Sequence, residues 1–349
     1  MAPVDTLQLS IQMSTLIRIF TLGLLGLLIA VLATPVYTAV AYKFKWWKKA
    51  RSESWSGGIA TVYQKLHAAK HKRNIPTMAG LTFIFSVAIV TLCGNLDRSQ
   101  TWLPLAGMIA AGGIGLIDDV LNIRSVGGGI AGMRSAIKFS LYSVVALAAG
   151  WWFFDKLDVT SIYIPGIEHW EIGAFIIAVF WFVVVATANS VNISDGLDGL
   201  AGGLLTSSFM AYAIIAMVQG QYNLAGFCIT VTGALLSYTW FNIYPARFFM
   251  GDTGAFALGT ALGIIAMQTD TLYVLPIIGA VYVAETSSVI INRLSRKLRN
   301  GKKVFLSSPL HHHFEALGWP ETKVTMRFWV LGQVCAITGV VVFLAGRYV

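Results

Sequence analysis

The stretch "EIGAFIIAVFWFVVVATANSVNISDGLDGLAGGLLTSSFMAYAIIAMVQ", residues 171–219, holds two apolar runs joined by a polar segment. Each run, 171–191 and 200–219, has the length of roughly 20 residues that a helix needs to cross a bilayer. The segment between them, "NSVNISDGLDGLAGG" at 189–203, is rich in Asn, Asp and Gly. A single capping residue is enough to start a helix, so this array of amides and carboxylates calls for a further explanation.

Similar apolar runs recur along the whole chain. Of its 349 residues, 56% are hydrophobic and only 12% are charged, against about 25% charged residues in soluble domains. The runs lack the alternating pattern of a lipid-facing barrel strand. We therefore predict an all-α, polytopic integral membrane protein with about ten transmembrane helices. They are expected near 17–42, 76–94, 101–117, 135–154, 171–191, 200–219, 223–242, 253–268, 272–292 and 326–346.

The net charge of +9 is concentrated in the loops after the first and ninth predicted helices. Basic loops mark the cytoplasmic side of a membrane protein, so both termini are expected on the outer side. The charge is thus a topology signal, and we predict no nucleic-acid partner. The whole chain, 1–349, reads as a single transmembrane domain. Its cytoplasmic loops are predicted near 43–75, 118–134, 192–199, 243–252 and 293–325.

Five aspartates fall at predicted cytoplasmic helix ends. Asp118 and Asp119 end the third predicted helix, Asp195 and Asp198 follow the fifth, and Asp252 lies between the seventh and eighth. Acidic residues at a membrane edge are costly and usually have a partner and a function. Helix capping is an alternative role for Asp195 and for Asp252, because Asp is a favoured N-cap residue.

The adjacent pair Asp118–Asp119 is harder to explain by capping. Two carboxylates at the C-terminal end of a helix repel each other and oppose the helix dipole, so they require a cation. The nearest basic residue in the chain is Arg124. Hard oxygen ligands without a Cys/His set favour Mg²⁺, which is usually completed by substrate phosphates. Gly196 and Gly199 beside the acids suit close approach of backbone amides to phosphate, and together these features predict phosphate chemistry at the cytoplasmic face.

A third polar cluster is "SSPLHHHFEALGWPE" at 307–321. Consecutive residues do not share a helix face, so the three histidines are not expected to chelate one metal. One or two of them would instead face a shared site as hydrogen-bond donors to phosphate or carboxylate. The alternative is an ordinary solvated loop.

Together the motifs identify the chain as resembling the polyprenyl-phosphate N-acetylhexosamine-1-phosphate transferases. They are "KRNIPTMAG" (72–80), "GLIDDVLN" (115–122), "NSVNISDGLDGLAGG" (189–203), "WFNIYPARFFMGDTGAFALG" (240–259) and "SPLHHHFEALGWPE" (308–321). The resemblance implies an Mg²⁺-dependent enzyme of a bacterial cytoplasmic membrane, working as a homodimer. The histidine stretch favours members that move a phospho-sugar from UDP-N-acetylmuramoyl-pentapeptide to undecaprenyl phosphate. The alternative is a sibling enzyme that transfers N-acetylglucosamine-1-phosphate to the same lipid.

The resemblance also assigns roles to residues, motif by motif. Metal binding is expected of Asp252 and Asp195. The catalytic residues would be Asp118, Asp119, Asp252, His312 and His313. Substrate would be bound by Lys72, Thr77, Asn122, Arg134, Asn189, Asn192, Asp195, Asp198, Asn242 and His311.

The chain departs from the family pattern at Asn122, where many members carry lysine, and Arg124 is near enough to substitute. Arg134 and Lys138 fall where the family keeps basic residues. A phosphate monoester has a second pKa near 6 and needs little base help, so direct attack by the lipid phosphate is favoured over a covalent aspartyl intermediate. A secondary transporter is disfavoured, because the acids crowd one face and no internal repeat is visible.

Overall fold

The computed structural model describes residues 6–47, 74–124 and 132–348, and its architecture is almost entirely helical. Its longer helices are α1 (Thr6–Lys43), α2 (Gly80–Gly94), α3 (Trp102–Arg124), α4 (Ser135–Leu157), α5 (Ile176–Ser194), α6 (Leu200–Val218), α7 (Tyr222–Asn242), α8 (Gly251–Gln268), α10 (Ala280–Leu298) and α12 (Glu321–Tyr348). Two short helices, α9 (Leu275–Ile278) and α11 (Leu310–Ala316), lie between them.

Each of the ten predicted segments corresponds to helical structure. Seven helices of the described chain are long and apolar enough to cross a membrane, namely α1, α3, α4, α5, α6, α7 and α12. The protein is therefore polytopic, as predicted. The apolar helix α2 is shorter, at 15 residues, and the ninth predicted segment is divided at Gly279 into α9 and α10.

Helix α8 lies at the centre of the fold. All its residues except Asp252 and Gln268 are buried, and it packs against α3 and α5. Small residues allow these close approaches: a side chain at Gly115 would collide with the backbone of Asp252, and one at Gly259 would collide with Ala188. This packing brings the C-terminal parts of α3 and α5 to the first turn of α8.

Several predicted boundaries are wrong at this end of the bundle. Helix α3 does not stop at 117 but continues to Arg124, so Asp118 and Asp119 lie within a helix and the loop after it begins later. Asp195 follows the end of α5, and Gly199, with φ +78°, precedes α6. The N-cap residues of α6 and α8 are Gly199 and Met250, and neither makes a side-chain capping hydrogen bond. Helix capping therefore explains neither Asp195 nor Asp252.

The opposite end carries a feature that the sequence analysis missed. Strands β1 (Ser161–Ile164) and β2 (Glu168–Glu171) pair antiparallel, with Ser161 opposite Glu171. The connecting residues are Pro165, Gly166 and Ile167, and Gly166 has φ +85°. Pro-Gly between short runs that contain β-branched and aromatic residues is the signal that would have predicted this hairpin.

Candidate active site

Four helices bring polar side chains together at the first turn of α8. Lys138 of α4 donates from Nζ to Asp118 Oδ2 of α3 at 3.0 Å and also pairs with Asp252 Oδ2 of α8. Asn192 of α5 donates from Nδ2 to Asp252 Oδ1 at 3.2 Å. We call these four residues the carboxylate–lysine cluster. It joins two carboxylates that are 134 positions apart in sequence.

Asp118 accepts hydrogen bonds from three donors, of which Lys138 belongs to the cluster. Besides Lys138, the backbone N–H of Met133 donates to Oδ1 at 2.6 Å, and Asn122 Nδ2 donates to Oδ2 at 3.1 Å. Lys138 therefore places a positive charge between Asp118 and Asp252, although Arg124 is the basic residue nearest to Asp118 in the sequence. The Lys138 Nζ also lies 4.9 Å from the centre of the Phe256 ring, which favours a cation.

Asp119 points in a different direction from Asp118, because consecutive helical residues are about 100° apart. Its Oδ2 accepts from the backbone N–H of Thr253 at 3.0 Å and from Thr253 Oγ1 at 2.9 Å. Asp119 is fully buried. Gly251 has φ +73°, and a side chain there would collide with Asp119 Oδ2 and crowd Thr77 Oγ1. Asp119 thus fixes the start of α8, whereas Asp118 belongs to the cluster.

The turn between α5 and α6, residues 195–199, is the DGLDG turn. Buried Asp198 accepts at Oδ2 from the backbone N–H of Ala246 at 3.0 Å, and its own N–H donates to Glu321 Oε1 at 2.7 Å. Asn242 Oδ1 accepts from the N–H of Gly199 at 2.9 Å. Asp198 and Asn242 therefore tie this turn to the loop before α8 and to α12, while Asp195 is half-buried at its start.

The three histidines lie in α11, and their rings contact three different partners. His311 Nδ1 lies 2.9 Å from Glu285 Oε2, and its ring packs against Gly196 of the DGLDG turn. His312 Nδ1 lies 2.7 Å from Glu315 Oε2. His313 Nδ1 accepts from the N–H of Leu306 at 3.2 Å. The three Nδ1 atoms thus have different partners, while the rings of His311 and His312 contact each other with their centroids 4.2 Å apart.

Three predicted substrate-binding residues stand apart from these contacts. Asn189 Nδ2 donates to the carbonyl of Val185 in its own helix at 2.7 Å. Arg134 is exposed at the residue before α4, one turn from Lys138. Lys72 lies outside the described residues.

The sequence analysis missed the contacts of Lys138, Thr253 and Glu285. Lys138 was noted only as one of the family's basic residues, and the chain gave no sign that it would reach Asp252. Glu285 did give a signal, because it is an acidic residue inside the predicted helix 272–292, and such residues in apolar helices usually have a partner.

The described residues contain no group of three or more His, Cys, Asp and Glu side chains arranged to hold a metal ion. The polar groups of the carboxylate–lysine cluster are two carboxylates, the amide of Asn192 and the ammonium group of Lys138, which lies between the two carboxylates.

Residues 101–270 match the family model described as "Glycosyl transferase family 4". The matched segment lies within a polytopic membrane protein, as the seven apolar helices show. The chain is 36% identical to the phospho-N-acetylmuramoyl-pentapeptide-transferase of Clostridium novyi (strain NT) over 90% of this chain and 94% of that one. The enzyme of the same name from Anoxybacillus flavithermus is 36% identical over 94% and 98%, and that of Heliobacterium modesticaldum 39% over 80% and 87%. The chain belongs to the phospho-N-acetylmuramoyl-pentapeptide-transferase family.

Proposed function

We propose that this protein transfers phospho-N-acetylmuramoyl-pentapeptide from its UDP-linked donor to undecaprenyl phosphate, forming lipid I and UMP in peptidoglycan synthesis. The observation that carries the proposal is the convergence of Asp118, Lys138, Asn192 and Asp252 beside the DGLDG turn, within a chain of this family. The reaction exchanges one pyrophosphate bond for another. Its main demands are therefore neutralising charge and aligning two anions.

Lys138 is the residue best suited to receive an anionic substrate. Its ammonium group lies between two carboxylates and is partly exposed, with 20% of the side chain accessible. A phosphate oxygen arriving at this point would share the lysine protons with Asp118 and Asp252. Asp118 would then orient the lipid phosphate through Lys138, while Asp119 keeps the first turn of α8 in place.

The same side chains fit a magnesium ion. Mg²⁺ prefers oxygen ligands and commonly takes only one or two protein carboxylates, completing its shell with water and substrate phosphates. Asp252 is the proposed ligand, with Asp195 of the DGLDG turn as the second, and His312 and His313 are proposed to contact the sugar phosphate. The bound ion would neutralise the charge of the pyrophosphate being formed and broken.

We favour direct attack by an oxygen of the lipid phosphate on the phosphorus that carries the sugar, with UMP leaving. A covalent route would need an aspartate oxygen as the nucleophile. The Asp118 carboxylate already accepts three hydrogen bonds, and that of Asp119 accepts two from Thr253, so both are weakened as nucleophiles. Isolation of a phospho-sugar adduct on either aspartate, in the absence of acceptor lipid, would contradict this route.

The proposed arrangement in the cell follows from the charge pattern. The cluster end of the bundle would face the cytoplasm, ten helical segments would occupy the bilayer, and both termini would lie on the outer side. The protein is proposed to work as a homodimer. Cysteine labelling from the outside of intact cells at residue 346 and at residue 300 tests the orientation, since only the first should react.

The test of function uses purified protein and undecaprenyl phosphate. UDP-N-acetylmuramoyl-pentapeptide and UDP-N-acetylglucosamine are supplied in parallel, each with and without Mg²⁺, and the lipid-linked product is quantified. We expect product only with the muramoyl donor and Mg²⁺, and a loss of roughly a hundredfold or more for Asp252→Ala. Product only from UDP-N-acetylglucosamine would support the sibling activity instead. Unchanged activity of Asp252→Ala would remove the proposed metal site.

A further inference from the structure

Among the described residues outside the carboxylate–lysine cluster, one acid–base pair is buried completely. Glu285 of α10 and His311 of α11 are both completely inaccessible to solvent. Burying an ionisable pair is costly unless its hydrogen bonds are well satisfied. The position of this pair is therefore informative, because α10 packs along α5 and the DGLDG turn follows the end of α5.

The carboxylate of Glu285 is satisfied by a single residue. It accepts from His311 Nδ1 at 2.9 Å, and the backbone N–H of His311 lies 3.2 Å from Oε1. An ionised carboxylate only accepts hydrogen bonds, so Nδ1 carries a proton in this pair. The ring is consequently fixed in both its orientation and its tautomer, since the other nitrogen, Nε2, is left to face away from Glu285.

The second nitrogen of the ring has no corresponding partner. His311 Nε2 is buried and makes no hydrogen bond with any described residue. It lies against Gly196, where an added side chain would collide with it. Buried polar atoms are normally paired, so an unpaired nitrogen held at the DGLDG turn points to a ligand that the protein itself does not supply.

We propose that Glu285 is a positioning residue of the active site, which acts by holding His311 so that Nε2 accepts a hydrogen bond from an O–H or N–H group of the nucleotide donor at the DGLDG turn. This inference rests on the proposed function. The carboxylate of Glu285 orients the ring, in the way that a buried carboxylate orients a catalytic histidine. Because Nδ1 carries the proton in this pair, Nε2 is the acceptor of the ring and is complementary to an O–H or N–H group. Asp195 beside Gly196 and His312 beside His311 are the other ionisable groups close to the ring.

Two substitutions separate this role from a structural one. His311→Asn places an amide nitrogen where Nδ1 stands, which keeps a donor for Glu285, but it removes Nε2. Glu285→Gln keeps an acceptor oxygen and removes the charge. Ser288→Ala, one turn further along α10, is the matched control, because its hydroxyl bonds only to the carbonyl of Glu285 within the helix.

The measurements are kcat and KM for both substrates, with thermal stability in detergent as the folding check. We expect His311→Asn and Glu285→Gln each to lower kcat/KM for the UDP-linked donor by about tenfold or more, with KM for undecaprenyl phosphate unchanged. The double variant should be no worse than His311→Asn, since both act through one nitrogen. Ser288→Ala should match the wild type.

Each contrary result has a separate meaning. Wild-type kinetics for His311→Asn would overturn the inference and leave the pair a structural contact between α10 and α11. Fully multiplicative losses in the double variant would also overturn it, because Glu285 would then act independently of His311. An inactive wild-type protein would instead contradict the proposed function itself. If Glu285→Gln fails to fold, the single variant His311→Asn still decides the inference.

Discussion

The two ends of the helix bundle both carry aspartates near helix termini, but they use them differently. At the hairpin end, Asp97 Oδ1 accepts from the backbone N–H groups of Ser99 and Gln100 at 3.0 and 2.8 Å. Asp270 Oδ1 accepts from the N–H of Tyr163 at 2.9 Å. At the cluster end, Asp118 and Asp252 share the ammonium group of Lys138, which comes from a third helix.

The difference teaches that an acid at a helix end is not by itself a functional signal. Asp97 orders its own loop, and hydrogen bonds from the Ser99 hydroxyl and from backbone N–H groups hold the pKa of its carboxyl below the ordinary value. Asp118 and Asp252 instead face each other across helices and are held together by a cation. Carboxylates that are brought together from distant helices around one cation mark the end of the bundle where the active site is proposed.

The largest expected effect comes from removing that cation. In Lys138→Met the carboxylates of Asp118 and Asp252 would lose their shared positive charge, and breaking a buried ion pair costs roughly 3 kcal/mol. We expect a clear fall of the thermal midpoint in detergent and at least a hundredfold loss of product formation, on the order of the effect of losing one electrostatic contact in an active site.

The control for Lys138→Met lies on the same helix at the hairpin end. Lys156 pairs with Asp155 at 2.8 Å, and both side chains are 40% exposed. Exposed pairs contribute no more than about 1 kcal/mol, so Lys156→Met should leave stability and transfer nearly unchanged. Equal effects of the two substitutions would mean that the ends of the bundle do not differ as described.

The second effect tests the tight contact at the DGLDG turn. In Gly196→Ala the new methyl group would collide with the ring of His311. This ring is buried and bonded to Glu285, so it has little freedom to move. Overpacking of this kind lowers the free energy of unfolding by about 2 kcal/mol, and we expect the transfer activity to fall as well.

Gly113→Ala in α3 is the matched control for Gly196→Ala. A methyl group at Gly113 meets nothing within 4 Å, and alanine is the better helix former by about 1 kcal/mol. The thermal midpoint should be unchanged or higher for Gly113→Ala, and it should be lower for Gly196→Ala. A Gly196→Ala protein as stable and active as the wild type would show that the contact with His311 is not tight.

The third effect concerns the support of Asp119. Thr253→Val removes the hydroxyl that donates to Asp119 Oδ2 at 2.9 Å, and a hydrogen bond to a charged group contributes about 1.5–3 kcal/mol. Because the backbone N–H of Thr253 still donates to Asp119, we expect a loss near the lower end of this range. Thr232→Val in α7 is the control, because the Thr232 hydroxyl bonds to the carbonyl of Cys228 in its own helix. In thermal denaturation, Thr232→Val should lower the free energy of unfolding by clearly less than Thr253→Val does.

The helices were predictable because length and apolarity decide which segments cross a bilayer. Their polar ends were not. Helix α3 continues past Asp118 because the polar side chains of its last turns are buried against α8 and the residues before α4, and the apolar pattern of one segment contains no information about such neighbours. The hairpin 161–171 was not predicted, because its four-residue strands are too short to stand out among the apolar runs that cross a bilayer.

For the candidate site, the motifs predicted which residues gather at this end of the bundle but not which of them contact each other. Asp118, Asn192 and Asp252 do converge through Lys138 and direct hydrogen bonds, whereas Asn189 bonds within its own helix and Asp119 bonds to Thr253. The separation of Asp118 from Asp119 depends on which helix face meets α8. The contact of Lys138 with Asp118 and Asp252 depends on how α3 and α4 cross. Both are tertiary facts that no spacing in the sequence contains.

The smallest effect lies at the hairpin end, at Asp270. Burial raises the pKa of this carboxyl above its ordinary value, although the hydrogen bond from Tyr163 and the neighbouring His169 oppose the shift. A raised pKa in the folded state means that stability present in acid is lost as the pH rises through the folded-state pKa. Asp270→Asn keeps an acceptor for Tyr163, has no charge to bury, and suits the φ of +49° at this position.

Asp270→Asn should therefore be as stable as the wild type near pH 4 and slightly more stable at pH 7, with an advantage under about 1 kcal/mol. Thermal midpoints measured from pH 4 to pH 8 check this, with transfer activity at pH 7 unchanged. A stability advantage that shrinks as the pH rises would show that the ion pair with His169, at 3.4 Å, outweighs the cost of burial. Asp270 would then resemble the paired acids of the cluster, and the contrast between the two ends would be one of degree.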